Sequence, residues 1–391
     1  MKLAELVEAK FQQLFHEQPT LVRSPGRVNL IGEHTDYNMG FVLPASINKA
    51  IYFAIRPRED KECRIFALDM NDEFHFAIDK LHPSPKVWPN YIMGVVEQLC
   101  KARNKFRGFD CVFGGDIPIG AGLSSSAAIE AGLAFALNYL FELKIDDMDL
   151  VKLAQKAENE FVGVRCGIMD QYINIFGERA NVLRIDCRSL EYKYYPFDYH
   201  NVSIVLFNTG VSHSLASSEY NKRREECSAG VEIVRKSYPA VTHLRDVTME
   251  MLNACKSEMS ETIYRRCKFV VEEDNRLLNA CVAIDQKDLK SFGKLMYQAH
   301  EGLSKEYEVS CPELDFLVEM ARCEPKIYGS RMMGGGFGGC TINLIENDEI
   351  QQIGANFAEE YGQKFDIDLK MYVTTISDGT SIISKKNHVT A

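Results

Sequence analysis

Apolar residues fall at helical spacing in some stretches of this chain and alternate in others, and the order of the two patterns predicts its organisation. Residues 1–18 read as an amphipathic helix. From 20 to 76 the pattern is strand-like, with two-residue alternation in A-I-Y-F-A-I at 50–55 and E-F-H-F at 73–76. A helix follows over 89–101, then a strand over 109–113, then a strongly apolar helical run over 125–143. Helices are predicted next at 148–161 and from about 168, with strands at 182–185, 192–195 and 202–207.

Past Asn208 the character changes. Residues 212–238 are charged and helical, and two longer helical patterns cover 258–284 and 289–303. The end of the chain is mixed again: a helix at 312–321, strands at 327–332 and 341–345, a further helix, and a strand at 369–376. No repeat, low-complexity tract or long linker interrupts it. We place one boundary near residue 200, giving domains 1–200 and 201–391, both α+β, with a cleft between them.

Composition narrows the function. At 391 residues and 46% hydrophobic content, each half can build a full core. The net charge of −10 argues against nucleic acid or an anionic membrane surface as a partner, although a local pocket can still oppose the global sign. Among twelve cysteines the closest pair, Cys100 and Cys111, is eleven positions apart, so neither a C-x-x-C zinc site nor a disulfide framework is expected. Reduced, buried thiols are the plain expectation. Glu5 and Glu8 interrupt the first helix, so a secretory leader is not expected. Glu130 and Asn138 break the most apolar run, which argues against a membrane span. We expect a cytoplasmic protein, monomeric, without membrane or obligate protein partner.

Four segments carry chemistry. In residues 118–128, P-I-G-A-G-L-S-S-S-A-A, a glycine turn opens a helix with three serines. The first N–H groups of a helix lack partners within it and sit at the positive end of its dipole, a cradle for phosphate. The pattern is not G-x-x-x-x-G-K-[ST], so the loop brings no lysine of its own. Residues 24–37, S-P-G-R-V-N-L-I-G-E-H-T-D-Y, end a strand in a turn holding Glu33, His34 and Asp36, groups suited to gripping a polyhydroxylated ligand, with Arg27 as a fixed charge just before. Neither H-E-x-x-H nor a second histidine at ligand spacing occurs there, so zinc is not expected. In residues 166–171, C-G-I-M-D-Q, Gly167 precedes a short helix with Asp170 in its first turn, where the dipole favours the ionised form. Gly334, Gly336 and Gly339 also satisfy G-x-G-x-x-G, but T-I-N-L-I at 341–345 reads as a strand, which rejects dinucleotide binding. Five glycines in the six residues 334–339 fit close approach of backbone to a ligand or to the other domain.

Residues 24–37, 166–171 and 329–340, in that order along the chain, resemble the three motifs of the GHMP small-molecule kinases, and residues 24–37 resemble the signature of the galactokinase family within them. C-G-I-M-D-Q, D-C-R-S-L at 186–190, H-S-L-A-S-S-E-Y at 213–220 and Y-E-V-S-C-P-E-L-D at 307–315 extend the likeness over about residues 21–378. The resemblance implies a two-domain α+β fold: an N-terminal ribosomal-S5-like domain, a ferredoxin-like C-terminal domain, and an active site in the cleft between them. It implies ATP-dependent phosphorylation of α-D-galactose at the C1 hydroxyl, giving galactose 1-phosphate and ADP, the committed step of galactose catabolism, with Mg2+ as cofactor. Kinases for N-acetylgalactosamine or arabinose share these motifs, as does a non-catalytic galactose- and ATP-binding regulator; in the regulator the serine loop is shortened, whereas here it is complete.

Carried over by motif, Arg27 and Asp170 flank the reacting hydroxyl. Glu33, His34, Thr35, Asp36, Gly167 and Tyr220 hold the sugar. Gly120, Ala121, Gly122, Leu123, Ser124, Ser125 and Ser126 hold the ATP phosphates, Ser126 and Glu158 ligate magnesium, and Trp88 meets the adenine. Met333 stands where the family usually has Thr. Arg27 and the helix start both place positive charge beside Asp170, which suits a group that orients the hydroxyl and takes its proton late in a loose transition state.

Overall fold

Strand β1 (Thr20–Asn29) is the member of the first sheet that carries chemistry, and its neighbours bury it on both faces. The computed structural model describes residues 3–102, 106–118, 120–212 and 216–383, without side chains at 212 and 216–218. After α1 (Leu3–Phe15) and β1 come β2 (Phe41–Val42), β3 (Pro44–Pro57), β4 (Glu62–Ala67), β5 (Asp72–Ala77), α2 (Val87–Ala102) and β6 (Phe109–Gly115). Next are α3 (Ser125–Leu140), α4 (Asp147–Ala157), α5 (Met169–Phe176), β7 (Asn181–Asp186), β8 (Tyr192–Pro196) and β9 (Val202–Ser212). The chain continues through α6 (Ala216–Ser237), α7 (Met249–Ala254), α8 (Glu261–Asp285), α9 (Leu289–Glu301), α10 (Pro312–Cys323), β10 (Ile327–Met332), β11 (Gly338–Glu346), α11 (Ile350–Phe365), β12 (Lys370–Thr374) and β13 (Ser381–Ile382).

Three sheets result, with strand orders β13-β1-β3-β6-β4-β5, β10-β11-β9-β12 and β2-β7-β8. Alternation sorts the first sheet's side chains: Leu21, Ala54 and Val112 meet Val7 and Phe11 of α1 on one face. Val22, Phe53 and Phe113 meet Leu133 and Leu137 of α3 on the other. The second sheet does the same, with Val205, Phe207 and Ile345 against Ile353, Phe357 and Tyr361 of α11, while Ile204, Leu206, Ile342 and Leu344 join the first core. That shared core packs the two sheets' layers together. The chain passes from the third sheet to the second between β8 and β9, and β13 returns to the first to pair with β1.

A bulge in β1 between Pro25 and Arg27 shifts its register against β3. Bulges re-aim side chains, and here Arg27 is turned toward α3, with its backbone N–H on the Leu123 carbonyl at 3.2 Å. The loop leaving β1 is then clamped by consecutive carboxylates of α8. Glu273 accepts from the Gly32 N–H at 2.9 Å, and Asp274 accepts from the Phe41 N–H at 2.8 Å. Arg331, from β10, reaches the same loop with no exposure of its own.

The predicted long elements are present, with ends moved by a few residues. The run at 125–143 stops as a helix at Leu140. The helix predicted over 148–161 runs from Asp147 to Ala157 and then widens into a π turn, Glu158–Val162. Two-residue strands β2 and β13 and the six-residue α7 were not predicted. Residues 213–215 of the H-S-L-A-S-S-E-Y run lie outside the described residues. All twelve cysteines are free, and among the described residues no helix is long and apolar enough to cross a membrane.

The clamp yields a stability prediction. Glu273 is fully buried and also pairs with Arg276. Glu273→Ala strands the Gly32 N–H and leaves the Arg276 guanidinium only its longer contact to Glu272 at 3.8 Å, so it destabilises by about 3 kcal/mol, seen as a lowered urea unfolding midpoint.

Candidate active site

The loop between β1 and β2 is a compact knot built around Thr35. Its one hydroxyl hydrogen is shared between the carbonyls of Gly32 (2.9 Å) and Phe41 (2.5 Å), and its own carbonyl accepts from the N–H groups of Asn38 and Gly40. Thr35 is fully buried. It was expected among the sugar contacts; the structure instead turns it inward, because the knot's crossing carbonyls need a donor. With Thr35 inside, Glu33, His34 and Asp36 are left facing a cavity of about 490 Å³, within the usual range for small-molecule sites. His34 adopts a left-handed backbone, φ 62°, uncommon for a residue with a side chain and frequent at functional sites.

The cavity's other walls come from Cys166, Gly167 and Asp170, from Tyr220 of α6, and from Gly334–Gly336. Gly167 has to be glycine, since a Cβ there would sit 1.7 Å from Asp36 Oδ2. The glycine segment is backbone wall as well. The Gly334 N–H donates to Glu33 at 2.8 Å, and a Cβ on Gly336 would strike the Val309 carbonyl at 2.1 Å. The segment leads directly into strand β11, as expected from its sequence.

At one end of the cavity Arg27 and Asp170 form a two-pronged pair, Nε to Oδ1 and Nη2 to Oδ2, each 2.8 Å. Arg27 is buried and Asp170 partly so. Burial opposes the Arg27 charge, but Asp170 more than offsets it and raises its pKa, which keeps the guanidinium charged. The third arm of Arg27 donates to the Gly122 carbonyl of the serine loop. Ser124 sits at φ 59°, and its hydroxyl donates to Asp170 Oδ2 at 2.5 Å. It therefore makes no side-chain cap on α3, and the first N–H groups of that helix are left for a ligand. Gly120 and Gly122 adopt left-handed backbones. The loop touches the glycine segment: a Cβ on Gly334 or Gly339 would lie 3.5–3.7 Å from backbone atoms of Gly122 and Ala121.

Glu158 lines the cavity from the π turn after α4. Gln171 donates to it at 2.8 Å and Cys166 Sγ lies 3.3 Å away. Burial raises its pKa, while hydrogen bonds from Cys166 and Ser126 oppose the shift. Behind it Glu130 is fully buried, with Gln171 at 3.3 Å and one oxygen unpartnered. Among the described residues no three His, Cys, Asp or Glu cluster as a metal cage.

Two further expectations meet less direct placements. Trp88 lies 8% exposed between Phe74 and Phe113, its indole N–H on Asp72 at 3.1 Å, and it does not line the cavity. Met333 buries its side chain in the first core, and its carbonyl, 3.5 Å from a Cβ on Gly122, is what meets the serine loop. Residues that the sequence did not single out complete the site. Arg331 and Glu273 hold the loop, Gln171 and Glu130 back Glu158, and Tyr37 hydrogen-bonds His34. Tyr37, Gln171 and Arg331 had a signal, since each lies inside one of the motifs.

A carboxylate-lined cavity thus meets an uncapped helix start between two sheets that share a core, and the family matches identify this arrangement as that of the GHMP small-molecule kinases. Residues 90–178 match the GHMP kinases N terminal domain and residues 280–363 the GHMP kinases C terminal domain. The archaeal mevalonate kinase of Methanococcus jannaschii shares the fold at a TM-score of 0.67 and 18% identity, over 92% of this chain and 99% of that one.

The chain belongs to the galactokinase family. Residues 9–57 match the galactokinase galactose-binding signature. It is 43% identical to the galactokinase of Roseiflexus sp. (strain RS-1) over 95% of both chains, and 40% identical to that of Chloroflexus aggregans over 96% and 97%. The galactokinase of Lactococcus lactis, solved with galactose, superposes at a TM-score of 0.93 with 33% identity, covering 98% of this chain and all of that one.

Asp36 makes the site's acid behaviour testable. Burial, then the Asp170 charge, raises its carboxyl from 3.8 to about 6. Between those values the folded protein holds a proton that the unfolded chain has released, so this contribution to stability falls as pH rises from 3.8 to about 6. Asp36→Asn stays neutral throughout. Urea unfolding of both proteins should show the wild type losing ground to the variant across that window.

Proposed function

We propose that this protein phosphorylates α-D-galactose at the C1 hydroxyl, using ATP. The observation that carries the reading is the Arg27–Asp170 pair, placed where the carboxylate-lined cavity meets the start of α3. In this reading Glu33, His34, Asp36, Gly167 and Tyr220 surround the sugar. Thr35 acts through the loop that it pins. The N–H groups from Gly120 to Ser126 receive the phosphates, and Trp88, at the start of α2, marks the adenine end.

The pair accounts for most of the chemistry. Phosphoryl transfer through a loose transition state depends on alignment and on neutralising charge on the moving group. Three donors hold Asp170 at a fixed angle, so its remaining lone pairs can orient the C1 hydroxyl and take its proton late. Arg27, anchored to both Asp170 and the Gly122 carbonyl, places its charge between nucleophile and loop. The residues at Glu158 fit Mg2+, which binds through one or two carboxylates plus substrate phosphates and needs no protein cage. Glu158 and Ser126 would hold it, and when bound it neutralises charge on the phosphates. The same reading keeps two domains meeting near residue 200, a monomer, and a cytoplasmic setting.

ATP consumption across galactose, N-acetylgalactosamine, arabinose, glucose and mevalonate tests the substrate. Turnover on galactose is expected, and Asp170→Asn should lower it by about 10²- to 10⁴-fold. Near-normal turnover in that variant would remove Asp170 from the mechanism. Gly167→Ala pushes a methyl onto Asp36, so galactose KM should rise at least about tenfold, the size of one displaced charged hydrogen bond; steady-state kinetics reads it.

A further inference from the structure

Two tyrosines beside the cavity have no part in that reading, and they are joined to each other. His34 Nδ1 lies 2.7 Å from the Tyr37 hydroxyl, which lies 2.9 Å from the Tyr307 hydroxyl, which lies 3.2 Å from Cys227 Sγ. The run starts in the loop after β1, passes the end of α9 and stops inside α6. At its cavity end His34 is 4% exposed, its ring meets the Gly335 backbone, and its other ring nitrogen, Nε2, is buried without a well-aligned hydrogen bond to the protein.

Tyr307 is held firmly for a residue without a direct role. A π turn, Gly302–Glu306, delivers it, with the Tyr307 N–H on the Gly302 carbonyl at 2.8 Å. Its ring packs between Phe269 and His34, at centroid distances of 4.8 and 5.0 Å. Asp315 closes the segment around it, accepting from Ser304 at 2.9 Å and Ser310 at 2.5 Å and pairing with His300 at 3.1 Å. These contacts give Y-E-V-S-C-P-E-L-D a purpose that its sequence did not disclose.

Each hydroxyl in such a run has one hydrogen, so its direction is all or none. If Tyr37 donates to His34, Tyr307 donates to Tyr37 and the Cys227 thiol to Tyr307. The opposite direction puts a proton on Nδ1, and a mixed one sets two lone pairs or two hydrogens face to face. The 2.7 Å contact suits an O–H donor better than an N–H donor, whose usual distance is about 2.9–3.0 Å. The cavity favours the same sense. Glu33, Asp36 and Asp170 only accept, so a sugar hydroxyl that donates to one of them still needs a donor for its own oxygen. Burial, with the Arg223 charge beyond it, lowers the His34 pKa to about 3, so one ring nitrogen carries the only proton.

We propose that Tyr37 and Tyr307 are positioning residues that lock His34 as the Nε2–H tautomer, which gives the pocket a fixed hydrogen-bond donor opposite its carboxylates. The sugar's identity rests on the galactose reading; the tautomer does not. Long-range ¹H–¹⁵N NMR of the free protein tests it, the His34 signals being identified by their loss in His34→Gln. Protonated Nε2 and bare Nδ1 are expected, with Nε2 moving when galactose is added. Tyr307→Phe keeps the ring and removes only the hydroxyl. It should give a tautomer mixture and an about tenfold higher galactose KM, with kcat changed less than about threefold. A wild type protonated at Nδ1 overturns the proposal, and so does a Tyr307→Phe protein with unchanged tautomer and KM. Absence of turnover on galactose in the wild type would overturn the functional reading alone, since the free-protein spectrum decides the tautomer by itself.

Discussion

Arg331 is a fully buried cation, and the cavity's shape depends on how its charge is satisfied. A guanidinium taken out of water must fill its donors within the protein or cost several kcal/mol. Arg331 does so on the Leu30 carbonyl at 2.7 Å, the Met332 carbonyl at 2.6 Å, the Asn29 carbonyl, and Glu33 at 3.1 Å. Two of those carbonyls belong to the end of β1 and the first residue after it, and Met332 is the end of β10. One side chain thus joins the first sheet to the second where the ligand loop departs. Glu33 is in turn shared with the Gly334 N–H, so the loop and the glycine segment form two walls of one pocket held from behind.

That arrangement explains why an acidic protein can handle phosphates. The cavity itself is acidic, with Glu33, Asp36, Asp170 and Glu158 on its walls. Two arginines divide the task of compensating them. Arg331 neutralises Glu33 from behind, and Arg27 faces Asp170 with one arm on the serine loop. Asp36 has no close cation of that kind, and its raised pKa records the consequence. In the proposed reading the sugar end is therefore rich in acceptors for hydroxyls, while the phosphate end offers N–H groups, a helix dipole and Arg27.

Long periodic elements were legible in the sequence because burial of a whole face is written at every third or second position. The ends of α3 and α4, the two-residue β2 and β13, and α7 were not, because tertiary pairing and not local periodicity decides them. The π turns at 158–162 and 302–306 left no pattern either, yet they aim Glu158 and Tyr307. Within the site, residue types were readable and directions were not. E-H-T-D is polar throughout, and nothing in it says that Thr35 faces inward while its neighbours face the cavity. Arg331 stands in a predicted strand, and nothing in the strand's own pattern says that a second layer buries its charge.

Ser124 shows how the site trades local stability for function. A serine before a helix ordinarily caps it, a contribution of about 1 kcal/mol. Here the residue takes a left-handed backbone and directs its hydroxyl to Asp170 instead. Both choices cost stability locally, and in the reading proposed above both serve the reaction. The uncapped N–H groups remain free for phosphate, and the displaced hydroxyl fixes the carboxylate that must face the sugar. Because Arg27 touches Asp170 and Gly122 together, loop and carboxylate are set by one network. The distance between nucleophile and phosphate site is thus built into the fold before either substrate arrives, which is the positional control that a loose phosphoryl transfer most requires.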